Sequence, residues 1–245
     1  MVTENPWTSL RELTAARIAL GRAGHSLPTR ELLSFQLAHA RARDSVHRAL
    51  DVRDLLAELS ARGLAALTLH SAARDRTTYL RRPDLGRRLD SESAARLTPG
   101  GYGAAIAIAD GLSSTAVHRH ALVLLDALLP ALSEWRLAPI AVIEQGRVAV
   151  ADEIGERLGA NLAVMLIGER PGLSSPDSLG AYLTWSPRAG RTDAERNCVS
   201  NIRTEGLAPD AAARRIALLM QTSRTHQVTG VGLNRIADQL LSGDR

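Results

Sequence analysis

The chain carries one cysteine, Cys198, and no lysine. A lone cysteine excludes an intrachain disulfide framework and any Cys-x-x-Cys metal site. All 30 basic residues are arginine, set against 26 acidic residues for a net charge of +4. The acids are interspersed with the arginines and no long single-sign tail exists, so the basic excess points only weakly to an anionic partner. Aromatic residues make up 3% of the chain. Leu, Ala, Val and Ile must therefore build the core, and the stacking platform of a single-strand nucleic-acid binder is missing. No run reaches the roughly 18 apolar residues of a membrane span. The N-terminus, Met1–Leu13, lacks the charged-then-apolar pattern of a secretion signal. These absences predict an intracellular globular protein that binds neither membrane nor nucleic acid.

What is present reads as alternating helices and apolar runs. At 245 residues the chain makes one large domain or two small ones. Thr8 to Ala61 reads as helical. Leu32, Leu33, Leu37, Ala40 and Val46 fall near helical spacing, and Thr29 after Pro28 is a start signal. Leu64–Leu69 is a short apolar run, and Asp75–Leu97 is charged and irregular. Pro99-Gly100-Gly101 is the clearest break. The expected division is a mainly helical region, 1–95, and a second domain, 96–245.

In that second domain Tyr102–Ala109, Ala138–Ile143 and Leu162–Ile167 are near-continuous apolar runs. Helical patterns at Ser113–Leu132 and Ala149–Leu158 separate them, and Ala208–Met220 and Gly232–Leu241 read as terminal helices. Continuous apolar strands between helices indicate a mostly parallel sheet covered on both faces. With right-handed crossovers this predicts an α/β class, a doubly wound, Rossmann-like domain after an N-terminal helical region.

Ligands of such sheets collect at the carboxyl ends of the strands. Three loops leave those ends: Asp110–Thr115, Glu144–Val148 and Gly168–Leu173. The first can cap a helix with Ser113 and offer free N–H groups to a phosphate, or it is an ordinary strand-to-helix turn. No G-x-G-x-x-G or Walker pattern accompanies it, which counts against a free-standing Rossmann-like protein with a nucleotide cofactor. Glu169 either accepts a hydrogen bond from a ligand or pairs with Arg170 to shape its own loop. Cys198 has no histidine-containing partner motif, so covalent catalysis is not expected. Its polar neighbours Asn197, Ser200, Asn201 and Arg203 suit a ligand fringed with amides. His118-Arg119-His120 lacks metal-ligand spacing and is expected on a helix face. The arginines of Arg74–Arg88 are expected on a solvated face or in a subunit interface. A basic binding module is the other alternative, and the interspersed acids argue against it.

Several long motifs in order carry a resemblance to a known family. They are the front stretch Asn5–His47, then HSAARDRTTYLRRPDLGRRL from His70, and IADGLSSTAV from Ile108. After these come GRVAVADEIGERLGA from Gly146 and the stretch from GERPGL at Gly168 to NCVSNI ending at Ile202. Over nearly its whole length the chain resembles the small (light) subunit of ethanolamine ammonia-lyase. The resemblance implies a lyase assembled from several large and small subunits, in which the large subunit is a TIM barrel that holds ethanolamine. It implies adenosylcobalamin, with cobalt held by the corrin and its own dimethylbenzimidazole, clamped between barrel and small subunit for radical conversion of ethanolamine to acetaldehyde and ammonia. By position, Val148, Glu169 and Cys198 would contact the corrin, with Arg147 beside the first. It implies no catalytic residue and no metal ligand on this chain. The implied location is bacterial and intracellular: a microcompartment where the host builds one, otherwise the cytoplasm.

Overall fold

The structure, a computed structural model, describes residues 2–242, with side chains through residue 236. The chain runs from a tight turn at Thr8–Glu12 into helices α1 (Thr29–His47) and α2 (Val52–Ala61), then strand β1 (Ala66–His70). Helices α3 (Arg76–Arg81) and α4 (Ser91–Ala95) precede strand β2 (Ala104–Ala109). A helical stretch follows, α5 (Ser114–Ala116), a wider π turn at Val117–Ala121, and α6 (Leu122–Leu128). Next come β3 (Ile140–Glu144), α7 (Val150–Leu158), β4 (Leu162–Gly168), β5 (Leu179–Trp185) and β6 (Arg196–Ile202). Helices α8 (Pro209–His226) and α9 (Val231–Ser242) close the described chain.

The six strands form one mixed sheet in the order β1-β3-β2-β4-β5-β6. The first four in that order are parallel, β5 runs antiparallel to β4, and β6 antiparallel to β5. The expected α/β class with a mostly parallel sheet is present. Every residue of β2 and β4 is buried, because apolar layers cover both faces. On one face Leu55 and Leu59 of α2, Leu124, Leu125 and Leu128 of α6, and Ile216 and Met220 of α8 pack on Ile106, Ile108, Val142 and Val164. On the other, Val150, Ile154 and Leu158 of α7 pack on Ala105, Ala107, Ile143 and Met165. The helix Ser114–Leu132 is long and apolar enough to span a bilayer by length and composition, and its Leu124, Leu125 and Leu128 pack against the sheet.

Local signals explain the element ends. Asp51 accepts from Asp54 N–H at 3.0 Å to start α2, and Asp75 accepts from Thr78 N–H at 2.7 Å to start α3, as N-caps do. Gly159 ends α7 in a left-handed turn at φ 64°.

Four features depart from the sequence expectation. The stretch Thr8–Ala61 is not helical throughout, because α1 begins only at Thr29. The junction expected at 95/96 cuts across one sheet: β1 pairs in register with β3, Ala66 with Ile140 through His70 with Glu144. The 1–95 segment is therefore not helical alone, and its α2 leucines sit in the same core as β2 and β4. Strands β5 and β6 were not anticipated. The periodic leucines of α1 do not face a core: Leu32, Leu33 and Leu37 are exposed, and only Ala38 and Ser45 of that helix are buried.

Candidate functional site

β2 is flanked by β3 on one side and β4 on the other, although both lie later in the chain. Loops leaving the strand ends around such a reversal enclose a crevice. The three loops expected at strand ends do follow β2, β3 and β4. They line an open cleft of about 410 Å³ with Gly111, Leu112, Arg147, Val148, Ile167, Gly168, Glu169 and Arg170. Tyr79, Tyr182 and Ser200 complete it.

The first and third loops touch. Gly111 adopts φ +54°, and a Cβ there would strike the backbone of Gly168, while a Cβ on Gly168 would strike Ser113 and Asp110. Leu112 N–H donates to Gly168 O at 2.8 Å, and Ser113 N–H to Asp110 O at 3.1 Å. These two N–H groups are therefore committed within the protein. Ser113 caps Ala116 N–H at 3.2 Å and donates to Pro176 O at 2.9 Å.

Asp110 clamps the second loop to the first. Its buried carboxylate accepts from Gln145 N–H and Gly146 N–H, both at 3.1 Å, and from Arg76 Nη1 at 3.3 Å. Burial pushes its pKa up to about 6, with Arg76 and the backbone donors pulling the other way. Arg76 also donates to Gln145 Oε1 at 3.1 Å and, through Nε, to Val46 O at 2.6 Å. Tyr79 lies between two guanidiniums, Arg147 at 4.2 Å and Arg76 at 4.6 Å from the ring centroid, close enough for cation–π attraction. Burial pushes the Tyr79 hydroxyl pKa up, so it stays a neutral donor, to Gly146 O at 3.2 Å. Arg147 donates from Nη2 to Tyr79 O at 3.1 Å, and its buried Nε has no partner. The Arg74–Arg88 cluster is thus not uniformly a solvated face: Arg76 is a partly buried prop of this site.

Glu169 is held by its own protein. Ser178 Oγ donates to its Oε2, Ser200 Oγ to its Oε1, and Asn201 N–H to Oε2 at 3.2 Å. The carboxylate joins the end of β4 to the start of β5 and the end of β6, and it shapes its loop through these donors rather than through Arg170. Glu169→Ala is expected to lower stability by about 1–3 kcal/mol, because it leaves those donors without an acceptor. Glu169→Gln keeps an acceptor oxygen and loses less. Urea unfolding of both variants measures this, and an alanine variant as stable as the parent would show that these bonds contribute nothing.

The structure brings Arg147, Val148 and Glu169 into one cleft. Cys198 is outside its lining: it is an exposed residue of β6 that pairs across the sheet with Tyr182, which does line it. Desolvation pushes its thiol pKa up, away from the thiolate a nucleophile needs. Asn197 and Asn201 are not a free amide-binding fringe. Asn197 Oδ1 accepts from Gly230 N–H at 2.7 Å, and Asn201 Oδ1 accepts from Arg203 Nε at 2.9 Å.

His120 is not on the surface either. It is buried with its Nε2 3.3 Å from Asp177 Oδ2, which Arg119 also reaches at 2.8 Å. Sequence reasoning missed Tyr79 and Tyr182. Their rarity was a usable signal, since two of the three tyrosines in the chain line this cleft.

The profile of a family described as "Ethanolamine ammonia-lyase light chain" matches residues 4–234. A protein named ethanolamine ammonia-lyase small subunit from Ralstonia nicotianae is 58% identical over 245 residues, covering 97% of this chain and 91% of its own. One of the same name from Azotobacter vinelandii is 59% identical, covering 96% and 90%. A third, from Pseudomonas putida, is 56% identical, covering 96% and 89%. With a family profile and relatives matching nearly end to end, the chain belongs to the ethanolamine ammonia-lyase small-subunit family, the smaller component of that lyase complex.

Proposed function

We propose that this chain holds adenosylcobalamin in its Rossmann-like domain and clamps it against a large TIM-barrel subunit that binds ethanolamine. The observation that carries the reading is that Arg147, Val148 and Glu169, from the loops after β3 and β4, line one open cleft at the carboxyl edge of the sheet.

The residues present fit a broad macrocycle fringed with amides. Val148, Ile167 and Leu112 offer an apolar wall that excludes water from a flat ring face. Glu169 accepts three internal hydrogen bonds, and a carboxylate has about four acceptor sites, so one remains for an amide N–H. The Arg147 guanidinium has an unpartnered Nε and suits an amide carbonyl or the nucleotide phosphate of the cofactor. No histidine lines the cleft and the sequence has no Asp-x-His-x-x-Gly, which supports a cofactor that keeps its own dimethylbenzimidazole. Cys198 would pack beside Tyr182 at the rim. When bound, the cofactor supplies the radical chemistry that converts ethanolamine to acetaldehyde and ammonia. This chain orients it through the Asp110 clamp, which fixes where Arg147 and Val148 stand.

The test is gel filtration of the chain with and without a co-expressed large subunit, adding adenosylcobalamin and reading corrin absorbance across each peak. Co-elution of both chains with corrin, together with acetaldehyde release from ethanolamine, is the expected result. A lone peak that never carries corrin overturns the reading.

A further inference from the structure

We infer that the N-terminal arm and the first half of α1, residues 2–37, form the docking surface for the large subunit. This rests on the proposed subunit function and deepens it by placing the contact. Of the fourteen large hydrophobic side chains exposed among the described residues, ten lie in this segment. Trp7 and Leu13 are 65% and 83% exposed, and Leu33 and Leu37 more than half. Within 2–37 Pro28 is the sole buried residue. Ordering a chain costs about 1–2 kcal/mol per residue, and here almost no burial within the subunit offsets it. Exposed apolar surface on this scale marks an interaction site.

Three observations identify the occupant. First, the surface is continuous with the cleft. Ser174, in the loop that starts at Glu169, donates to Ala15 O at 3.5 Å, and Leu173 beside it is also exposed. At the far end of α1, Val46 O accepts from Arg76, which braces Asp110. A partner that covers the cleft meets this arm next.

Second, the geometry of α1 suits a groove. At about 100° per residue, Leu32, Leu33, Phe35 and Leu37 spread over about 200° of the helix circumference. A helix lying on a lipid surface keeps one broad polar face, whereas this one has apolar side chains over more than half its girth and needs walls on several sides.

Third, residues 2–37 carry four arginines and three carboxylates, a net charge of only +1. So nearly neutral and apolar a face fits a predominantly apolar groove rather than a charged surface. A stable interface takes about 20–30 residues a side, which this segment with the neighbouring loop supplies.

The full-length chain is titrated against the separately purified large subunit without corrin, so that the cleft ligand does not bridge them. Leu33→Asp combined with Leu37→Asp is expected to weaken binding at least a hundredfold. Leu218→Asp, at an equally exposed leucine of α8, is expected to bind within threefold of the parent. Circular dichroism checks folding, and Leu33→Ser with Leu37→Ser repeats the test without adding charge. Equal binding by parent and the double variants overturns the docking surface while leaving the subunit reading intact. No binding by the parent overturns the docking surface, and the co-elution experiment with corrin then decides the subunit reading separately. Retention on phosphatidylglycerol vesicles or self-association, lost in the double variant while large-subunit binding is unchanged, assigns the face to lipid or to a second copy and overturns the proposal.

Discussion

Asp110→Ala is expected to destabilise the protein by about 3–5 kcal/mol, because it leaves a largely buried cation without its counter-charge. The Arg76 side chain is 15% exposed and Asp110 only 3%. Removing the carboxylate also orphans the N–H groups of Gln145 and Gly146. Since those residues lead directly into Arg147 and Val148, the proposed cofactor role predicts that corrin retention falls with stability.

The same carboxylate has a pH signature. Burial raises its folded pKa to about 6 from 3.8, so the folded protein holds this proton more tightly than the unfolded chain. Its favourable contribution is therefore complete below about pH 4 and is lost as the pH rises through 6. Across that window the change amounts to about 3 kcal/mol. Urea unfolding of the parent and of Asp110→Asn at pH 4, 5, 6 and 7 should show the parent's relative stability declining by an amount of that order. A difference that is flat with pH would mean the carboxyl titrates alike in both states.

Arg196→Ala is expected to cost about as much, about 3–5 kcal/mol, by a different route. Arg196 on β6 donates through Nη2 to Asp152 on α7 and to Arg191 O at 2.9 Å, and through Nη1 to Asp193 at 2.8 Å. The side chains of Arg196 and Asp152 are 3% and 2% exposed. Truncating the arginine leaves Asp152 buried without its cation, where burial already pushes its pKa up against Arg196. The pair is also imperfectly satisfied: Asp152 Oδ1 and Arg196 Nε have no partners. Replacing both ends with apolar residues of similar size therefore removes the desolvation cost along with the attraction. Arg196→Met with Asp152→Leu is expected to recover most of the loss. A double-mutant cycle by thermal or urea unfolding measures it, and a double variant as unstable as the single one would assign the loss to the bonds with Asp193 and Arg191 O instead.

These two ion pairs mark where sequence reading stops. The apolar runs that became β2, β3 and β4 were legible because a strand covered on both faces has no polar positions to interrupt it. β6 was not: Arg196, Asn197, Ser200 and Asn201 break the pattern. Their polar groups are satisfied by α7, the Gly230 turn, Glu169 and Arg203, partners remote in sequence except for Arg203. The helix α1 was legible from its leucine spacing, yet spacing reports which residues share a face and says nothing of what that face meets.

By itself the sequence determined the α/β class, the central strands and the longer helices beside them, the three loops at strand ends, and through its motifs the family. Each depends on local periodicity, on residues such as Gly159 and Asp75 acting on their neighbours, or on identity position by position. Only the tertiary structure decided that β1 joins the main sheet, that β5 and β6 extend it, and that Arg76 and Tyr79 brace Arg147 from some 70 residues away. It alone showed that Glu169 is held by Ser178, Ser200 and Asn201, and that residues 2–37 have no core of their own. Those outcomes depend on which distant groups meet, and one polar side chain in a sequence looks the same whether its partner is solvent, a ligand or a strand across the sheet.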